Sequence, residues 1–176
     1  MNHSFKLTTL AIMFTIVSIL MGCTMKSGID RTIEQNKALL HHCFDEINKG
    51  NMDCLDKYFA EDCIYHFSAG SYNEDYFKIM HSTFFSAFPD AIARIEDIIA
   101  ARDKVVTYWR IRGTHQGDLQ GIAPTGKKVT ITGIMITRVK DGKIVEEWEA
   151  FNQLNLMEQL GVIPVSQNTN QQIALK

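Results

Sequence analysis

Apolar residues recur with helical spacing in the first half of the chain and with strand spacing in the second half. In residues 29–49 the apolar side chains fall three and four positions apart, and Gly50 is a typical helix end. Residues 52–59 repeat this spacing over a shorter length. Residues 74–88 repeat it with a broad aromatic face and stop before Pro89, which cannot continue a helix. The pattern predicts three helices, the last with an aromatic stripe that faces the core; the alternative is that part of the stripe roofs a ligand pocket.

From residue 91 onward the apolar period changes to two, which is typical of β-strands. Long strands are predicted at residues 91–101, 105–115, 127–139 and 144–153, with a short earlier strand at residues 62–67. The Asp141-Gly142 pair predicts a tight hairpin turn. Residues 68–73 and 116–126 are predicted to be loops, and residues 154–160 a brief terminal helix.

Helices first and long strands afterwards predict an α+β fold. The long strands would form a curved antiparallel sheet, and the three N-terminal helices would pack on one of its faces. A strongly bent sheet covered by helices encloses a cone, and a hollow of this kind is a common place for a ligand.

The N-terminus has the layout of an export signal. Lys6 is followed by residues 7–20, an uncharged and mostly apolar run that is short for a membrane span. The run ends in Leu20-Met21-Gly22-Cys23, which resembles the bacterial lipobox, so residues 1–22 are predicted to be a lipoprotein signal peptide and Cys23 the lipidation site. An uncleaved anchor and an ordinary secreted protein are the alternatives.

A lipid on Cys23 would anchor the protein to a membrane of the bacterial cell envelope. Residues 23–28 would then be a tether, residues 29–164 the folded domain and residues 165–176 a polar tail. Thr24 is not the Asp associated with retention in the inner membrane, so we expect the periplasmic side of the outer membrane in a Gram-negative cell.

Charge and cysteine content exclude several classes of function. The net charge is −2 and the basic residues are scattered, so no nucleic-acid partner is expected. No Cys or His spacing matches a structural metal site, and His41 and His42 point in different directions on a helix, so no metal is expected. Cys43, Cys54 and Cys63 leave one disulfide or three buried thiols as alternatives.

Strand alternation predicts which side chains of the sheet face the cone. On the last strand, Glu149 shares a face with Val145, Glu147 and Phe151. If the odd positions of each strand point inward, one apolar, substrate-binding cavity is lined by Glu149 and by Trp109, Ile131, Met135 and Phe151. A carboxylate in such surroundings gains proton affinity, because burial disfavours its charged form.

Glu149 is therefore the candidate acid/base, and either His115 or His66 is the candidate group that polarises a substrate carbonyl. The alternatives are that an inward arginine pairs with Glu149, that Glu149 is exposed at the rim, and that both histidines are structural. Glu147, together with Lys143 and Glu146, is predicted to belong to a solvated strand surface.

Several short motifs occur in a defined order along the chain. They are Phe88-Pro89-Asp90, Gly113-Thr114-His115-Gln116-Gly117, Gly121-Ile122-Ala123-Pro124-Thr125-Gly126-Lys127, Asp141-Gly142-Lys143-Ile144-Val145-Glu146-Glu147-Trp148 and Gln159-Leu160-Gly161. The ordered set resembles the SnoaL-like polyketide cyclases, also called the ester cyclase group of the NTF2-like superfamily. This resemblance implies a cone-shaped barrel, a homodimer formed through the outer face of the sheet, and a cofactor-free intramolecular aldol ring closure.

The resemblance also assigns roles to particular residues. Glu149 takes the place of the family's Asp acid/base, whereas His115 and His66 match two family histidines. Met135 stands where the family has a polar histidine, which implies a different substrate. The chain is thus expected to be either a cyclase or isomerase that acts on a small hydrophobic carbonyl compound, or a non-catalytic module that binds a small hydrophobic ligand. A protein that works through a partner surface is the third alternative.

Overall fold

The computed structural model describes residues 28–51, 54–67 and 70–164 of the chain. The predicted signal peptide at residues 1–22, the lipidation site Cys23 and the predicted tail at residues 165–176 lie outside the described residues. The predicted tether at residues 23–28 also lies outside them except for its last residue, which is the first helical residue described.

Four helices and six strands account for most of the described chain. The helices are α1 at residues 28–48, α2 at Cys54–Tyr58, α3 at Glu74–Ala87 and α4 at Gln153–Leu160. The strands are β1 at Phe59–Phe67, β2 at Gly70–Tyr72, β3 at Ile92–Ala101, β4 at Lys104–Thr114, β5 at Lys128–Lys140 and β6 at Lys143–Phe151. The predicted α+β class, with N-terminal helices on a curved sheet, is confirmed. No helix in the described ranges has the length and hydropathy of a membrane span.

The six strands form one curved sheet in the order β2-β1-β6-β5-β4-β3, which does not close into a barrel. Three features differ from the sequence-based prediction. Phe59 was predicted to end the second helix and the first strand to begin at residue 62, but β1 begins at Phe59. Residues 70–72 were predicted as loop but form β2, which pairs with β1 through Tyr65 and Tyr72. The sheet is also not wholly antiparallel, because β1 runs parallel to β6.

The helices pack on the concave face of the sheet through side chains from α1 and α3. Phe77 of α3 stacks on Tyr65 of β1 at a ring-centroid distance of 3.9 Å. The Asn48 carboxamide of α1 accepts a hydrogen bond from the Ala93 backbone N–H and donates one to the Ala93 carbonyl, both at 2.8 Å. These contacts hold the two helices over opposite ends of the sheet and leave room between them and β4, β5 and β6.

A bulge at the start of β6 decides which of its residues face inward. Arg138 pairs with Glu146 and Val139 pairs with Ile144, so Val145 is an extra residue in the ladder. Ile144 is fully buried, whereas Val145 is partly exposed. The predicted inward position of Val145 is therefore wrong, and regular alternation resumes after the bulge.

Candidate active site

An apolar cavity of about 140 Å³ lies between α1, α3 and the concave face of the sheet. Most of its wall is aliphatic and aromatic. The residues that line it are Leu40, Cys43, Phe44, Ile47, Phe59, Phe67, Phe77, Met80, His81, Phe84, Phe85, Ala93, Trp109, Ile111, Ile131, Met135, Glu147, Glu149 and Phe151. The aromatic stripe of α3 thus forms one wall, and the inward side chains of β4, β5 and β6 form the opposite wall.

Glu149 projects from β6 into this cavity, directly across the ladder from Met135. Its carboxyl group makes no hydrogen bond or ion pair with another residue in the described part of the chain, so no inward arginine pairs with it there. The residue as a whole is half-buried, but its carboxyl lies among the apolar side chains of the wall, and this desolvation raises the pKa of Glu149 to about 7. Near neutral pH this carboxyl can therefore both take up and release a proton.

Glu147 lies two positions before Glu149 on the same face of β6 and is only 3% exposed. The Thr137 hydroxyl donates a hydrogen bond of 3.0 Å to its Oε1 atom. Burial raises the pKa of Glu147 to about 8, with a further increase from the charge of Glu149 that the Thr137 hydrogen bond partly offsets. The prediction that Glu147 belongs to a solvated surface is wrong, and its odd position, shared with Glu149, was the signal that indicated burial.

His81 of α3 also lines the cavity, although the sequence analysis did not select it. Its ring lies 3.9 Å from the Phe77 ring, and its Nδ1 atom is buried without a hydrogen-bond partner among the described residues. Burial lowers the pKa of His81 to about 4, so the imidazole is neutral at pH 7. Its helical spacing, four positions from both Phe77 and Phe85, was the signal that placed it on the aromatic face.

Trp109 of β4 reaches across Gly133 of β5 toward Phe151 of β6. Trp109 pairs directly with Gly133, and its ring centroid lies 6.0 Å from that of Phe151. A Cβ atom at Gly133 would lie 2.3 Å from Trp109 Cζ2, so only glycine leaves room for the indole there. Trp109, Phe151, Ile131 and Met135 all line the cavity, as strand alternation predicts; substrate binding by them stays a prediction.

The structure does not bring His115 to the cavity. The Thr125 backbone N–H donates to His115 Nδ1 at 3.2 Å, and the Thr125 hydroxyl lies 3.1 Å from the same atom. His115 is fully buried, with its ring 5.1 Å from that of Phe88. These contacts tie the end of β4 to the following loop and to the end of α3, which is a structural arrangement.

His66 lies on the convex face of the sheet, opposite the cavity. Its ring stacks on Trp148 at 5.0 Å, and its Nε2 atom lies 2.9 Å from the Glu146 carboxylate. Its Nδ1 atom contacts the Ser71 hydroxyl at 2.8 Å. His66 therefore joins β1, β2 and β6 from outside, and of the three histidines discussed here only His81 lines the cavity.

The wall of the cavity carries two carboxyl groups and a neutral imidazole and is otherwise apolar. A carboxylate with a pKa near 7 and few polar neighbours is suited to take a proton from a weakly acidic C–H group. Within the described residues, no group of three or more His, Cys, Asp or Glu side chains could hold a metal ion. Cys43 and Cys63 are buried in the core.

Comparison with known proteins shows a family to which the chain belongs and solved structures to which it is similar. A family profile described as SnoaL-like polyketide cyclase matches residues 38–160. The chain is similar to AclR, a candidate hydroxylase from Streptomyces galilaeus, with 26% identity and a TM-score of 0.73 over 77% of this chain and 87% of that one. It is similar to IdmH, a candidate polyketide cyclase from Streptomyces antibioticus, with 27% identity and a TM-score of 0.64 over 71% of this chain and 97% of that one.

A candidate SnoaL-like polyketide cyclase from Jannaschia shares the fold. Its identity is 21% and its TM-score 0.68 over 75% of this chain and 95% of that chain. No curated protein matches the chain.

Proposed function

Because the chain belongs to the SnoaL-like polyketide cyclase family, we propose that it is an enzyme that acts on a small apolar carbonyl compound. In this proposal it uses no cofactor, and Glu149 is the general base. The reaction is a ring closure of the aldol type or a related isomerisation, since both begin with removal of a proton from the carbon next to a carbonyl group.

The observation that supports this proposal most strongly is the environment of Glu149. The carboxyl lies in the wall of an apolar cavity and has no partner among the described residues, and its pKa is raised to about 7. A general base works best when its pKa lies near the working pH, because it is then both ionised often enough and basic enough. An ordinary surface glutamate would be ionised at neutral pH but would be too weak a base.

The proposed step conserves all atoms of the substrate. Glu149 takes a proton from the carbon beside a carbonyl, and the electron pair of that C–H bond moves toward the carbonyl oxygen to form an enolate. In a ring closure, the enolate carbon bonds to a second carbonyl carbon of the same molecule, whose oxygen then receives a proton. In an isomerisation, Glu149 returns the proton to a different carbon.

Glu147 and His81 would assist without taking part as bases. With a pKa of about 8, Glu147 is mostly protonated near neutral pH, so it adds no second negative charge beside the developing enolate. His81 is uncharged at the same pH. The wall therefore carries at most about one negative charge, on Glu149, and no second charge opposes proton removal by that group.

A one-ring ketone with an internal double bond provides a direct test. Conversion of cyclohex-3-enone to cyclohex-2-enone needs only removal and return of a proton, and the conjugated product absorbs in the ultraviolet. We expect Glu149→Gln to lower the rate at least about 10²-fold, the lower end of what general base catalysis contributes. Glu146→Gln is the matched control, because Glu146 lies on the same strand but contacts His66 and Arg138 on the outer face.

Equal rates in the parent and in Glu149→Gln would contradict the proposal. A parent protein that binds the ketone but does not convert it, in either H₂O or D₂O, would favour the alternative of a non-catalytic module. Solvent deuterium uptake into the bound ketone would show proton transfer even when no product forms, and it would support the base.

We also propose that Cys23 carries a lipid that anchors the protein in the cell envelope. The support is the sequence Leu20-Met21-Gly22-Cys23 after an apolar run. Expression of the full chain and of Cys23→Ala in a bacterial host, followed by fractionation and mass analysis, tests this. The parent should be in the membrane fraction with the added mass of acyl chains, whereas the variant should lack that mass; an unmodified parent would contradict the anchor.

A further inference from the structure

The size of the cavity restricts what can bind in it. Its volume of about 140 Å³ is well below the roughly 300–1,000 Å³ of sites for drug-sized ligands. An engineered apolar cavity of about 150 Å³ in another protein accepts benzene. A single six-membered ring therefore matches this space, whereas a fused polycycle has to extend out through the opening of the cavity.

One group in the wall indicates the chemistry of the ligand. Trp109 is 3% exposed, and its Nε1 atom is buried with no hydrogen-bond partner in the described part of the chain. A buried donor without a partner is costly and uncommon in native proteins. Trp109 lines the cavity, so a bound molecule that reaches the Nε1 edge of the indole supplies the missing acceptor.

The indole N–H is more informative than the other orphaned atom in the wall. It can only donate, so its partner must be an acceptor such as a carbonyl oxygen. The Nδ1 atom of His81 either donates or accepts, depending on the tautomer. Gly133 and Phe151 also hold the Trp109 ring in place, since the ring lies over a position where no side chain fits and beside a second aromatic ring.

We propose that the ligand of this cavity is a molecule the size of one six-membered ring, whose carbonyl oxygen accepts a hydrogen bond from Trp109 Nε1. This deepens the proposed function and rests on it in one respect: the carbonyl that Trp109 holds is the one whose neighbouring C–H group Glu149 deprotonates. Trp109 is then the residue that positions the ketone and draws charge toward its oxygen.

Cyclohexanone and methylenecyclohexane make a matched pair of probes, because they share a ring and differ by the replacement of oxygen with CH₂. The protein has two tryptophans, so its amide NMR spectrum contains two indole N–H signals, and Trp148→Phe assigns the signal of Trp109. We expect cyclohexanone to move the Trp109 signal downfield, as hydrogen bonding does, and methylenecyclohexane not to do so. The Trp148 signal serves as the internal control in the parent protein.

Affinity provides a second readout, followed through the methyl signal of Met135 in the cavity wall. Trp109→Phe should weaken cyclohexanone binding about 5-fold, within the range expected for one neutral hydrogen bond, and leave methylenecyclohexane affinity within about 2-fold. Anthrone, a ketone with three fused rings, should not shift the methyl signal. If Trp109→Phe does not fold, the indole shift in the parent protein still tests whether Trp109 is the hydrogen-bond donor. The anthrone titration of the parent then tests the size limit of the ligand.

Three results would overturn the inference. The first is a Trp109 indole signal that does not move when cyclohexanone binds, and the second is an equal loss of affinity for both probes in Trp109→Phe. The third is anthrone binding as tight as that of cyclohexanone. None of these depends on turnover. Glu149→Gln should keep the indole shift while it loses the enone conversion. A shift without any conversion by the parent would therefore contradict the proposed function alone, and conversion without a shift would contradict this inference alone.

Discussion

Thr137 of β5 donates a hydrogen bond of 3.0 Å to the carboxyl group of Glu147, its direct neighbour across the ladder to β6. Thr137 is fully buried and Glu147 is 3% exposed. The hydrogen bond holds one carboxyl in a defined orientation, two positions away from a second carboxyl on the same face. Two carboxyl groups in one apolar wall do not ionise independently, so Glu147 and Glu149 titrate as a pair.

The first prediction concerns the dependence of activity on pH. We expect kcat/KM for the enone probe to rise with pH through an apparent pKa of about 7, as Glu149 loses its proton. It should fall near pH 8, as Glu147 ionises and adds negative charge beside the enolate. Glu147→Gln should keep the rise and remove the fall, and a rate that is already maximal near pH 5 would contradict this assignment.

The second prediction concerns stability and follows from the raised pKa of Glu147. The unfolded chain ionises this group from about pH 4.5, whereas the folded protein keeps the proton until about pH 8. The unfolded state therefore loses its proton first, and the contribution of Glu147 to stability falls as pH rises between these values. We expect Glu147→Gln to gain on the order of 3 kcal/mol in unfolding free energy relative to the parent between about pH 5 and pH 8.

Chemical denaturation of both proteins at several pH values measures this difference. Glu146→Gln is again the matched control, since its side chain lies on the outer face and contacts His66 and Arg138. A constant difference between Glu147→Gln and the parent across the range would show that Glu147 is ionised in the folded protein.

Local patterns in the sequence were sufficient for most of the fold. Helical spacing predicted α1 and α3, and the period of two predicted the long strands, because each of these elements buries one regular face. The same argument oriented Trp109, Met135 and Glu149 toward one side of the sheet. The motif Gly-x-His-x-Gly also marked a real constraint: a Cβ atom at Gly117 would lie 2.4 Å from the Ser86 carbonyl oxygen.

Longer-range features could not be predicted from those patterns. The parallel pairing of β1 with β6 joins residues about eighty positions apart, for instance His66 with Trp148, and nothing local specifies it. Strand alternation also cannot foresee the bulge that excludes Val145. The role of His66 was assigned by family resemblance without knowing which face of β1 it occupies, and the structure places it on the convex face.

The third prediction concerns the contact between Trp109 and Gly133. Gly133→Ala adds a methyl group 2.3 Å from the indole, so the ring must move or the strands must separate. We expect a loss of about 1–3 kcal/mol in stability, as for other overpacked cores, together with loss of the cyclohexanone-induced indole shift. Gly28→Ala is the control, because nothing lies within 4 Å of its added methyl group. An unchanged stability and shift would mean that Trp109 is not held by this contact.

The fourth prediction separates the outer histidine from the chemistry. His66→Phe keeps an aromatic ring on Trp148 but loses the contacts with Ser71 and Glu146. We expect a stability loss of about 1 kcal/mol with an enone conversion rate within about 2-fold of the parent. His41→Phe, at an exposed position of α1, should change neither quantity. A tenfold slower enone conversion in His66→Phe would contradict this prediction and show that His66 contributes to the reaction.

In the proposed mechanism the carboxyl of Glu149, in the wall of the cavity, exchanges its proton near neutral pH. The most direct test of this exchange is a titration of the protein labelled with ¹³C at the glutamate carboxyl carbons, in which Glu149→Gln identifies the Glu149 signal. We expect a midpoint at about pH 7 for this signal. A midpoint near the ordinary value of 4.5 would contradict it, because Glu149 would then be a solvated carboxylate with no special basicity.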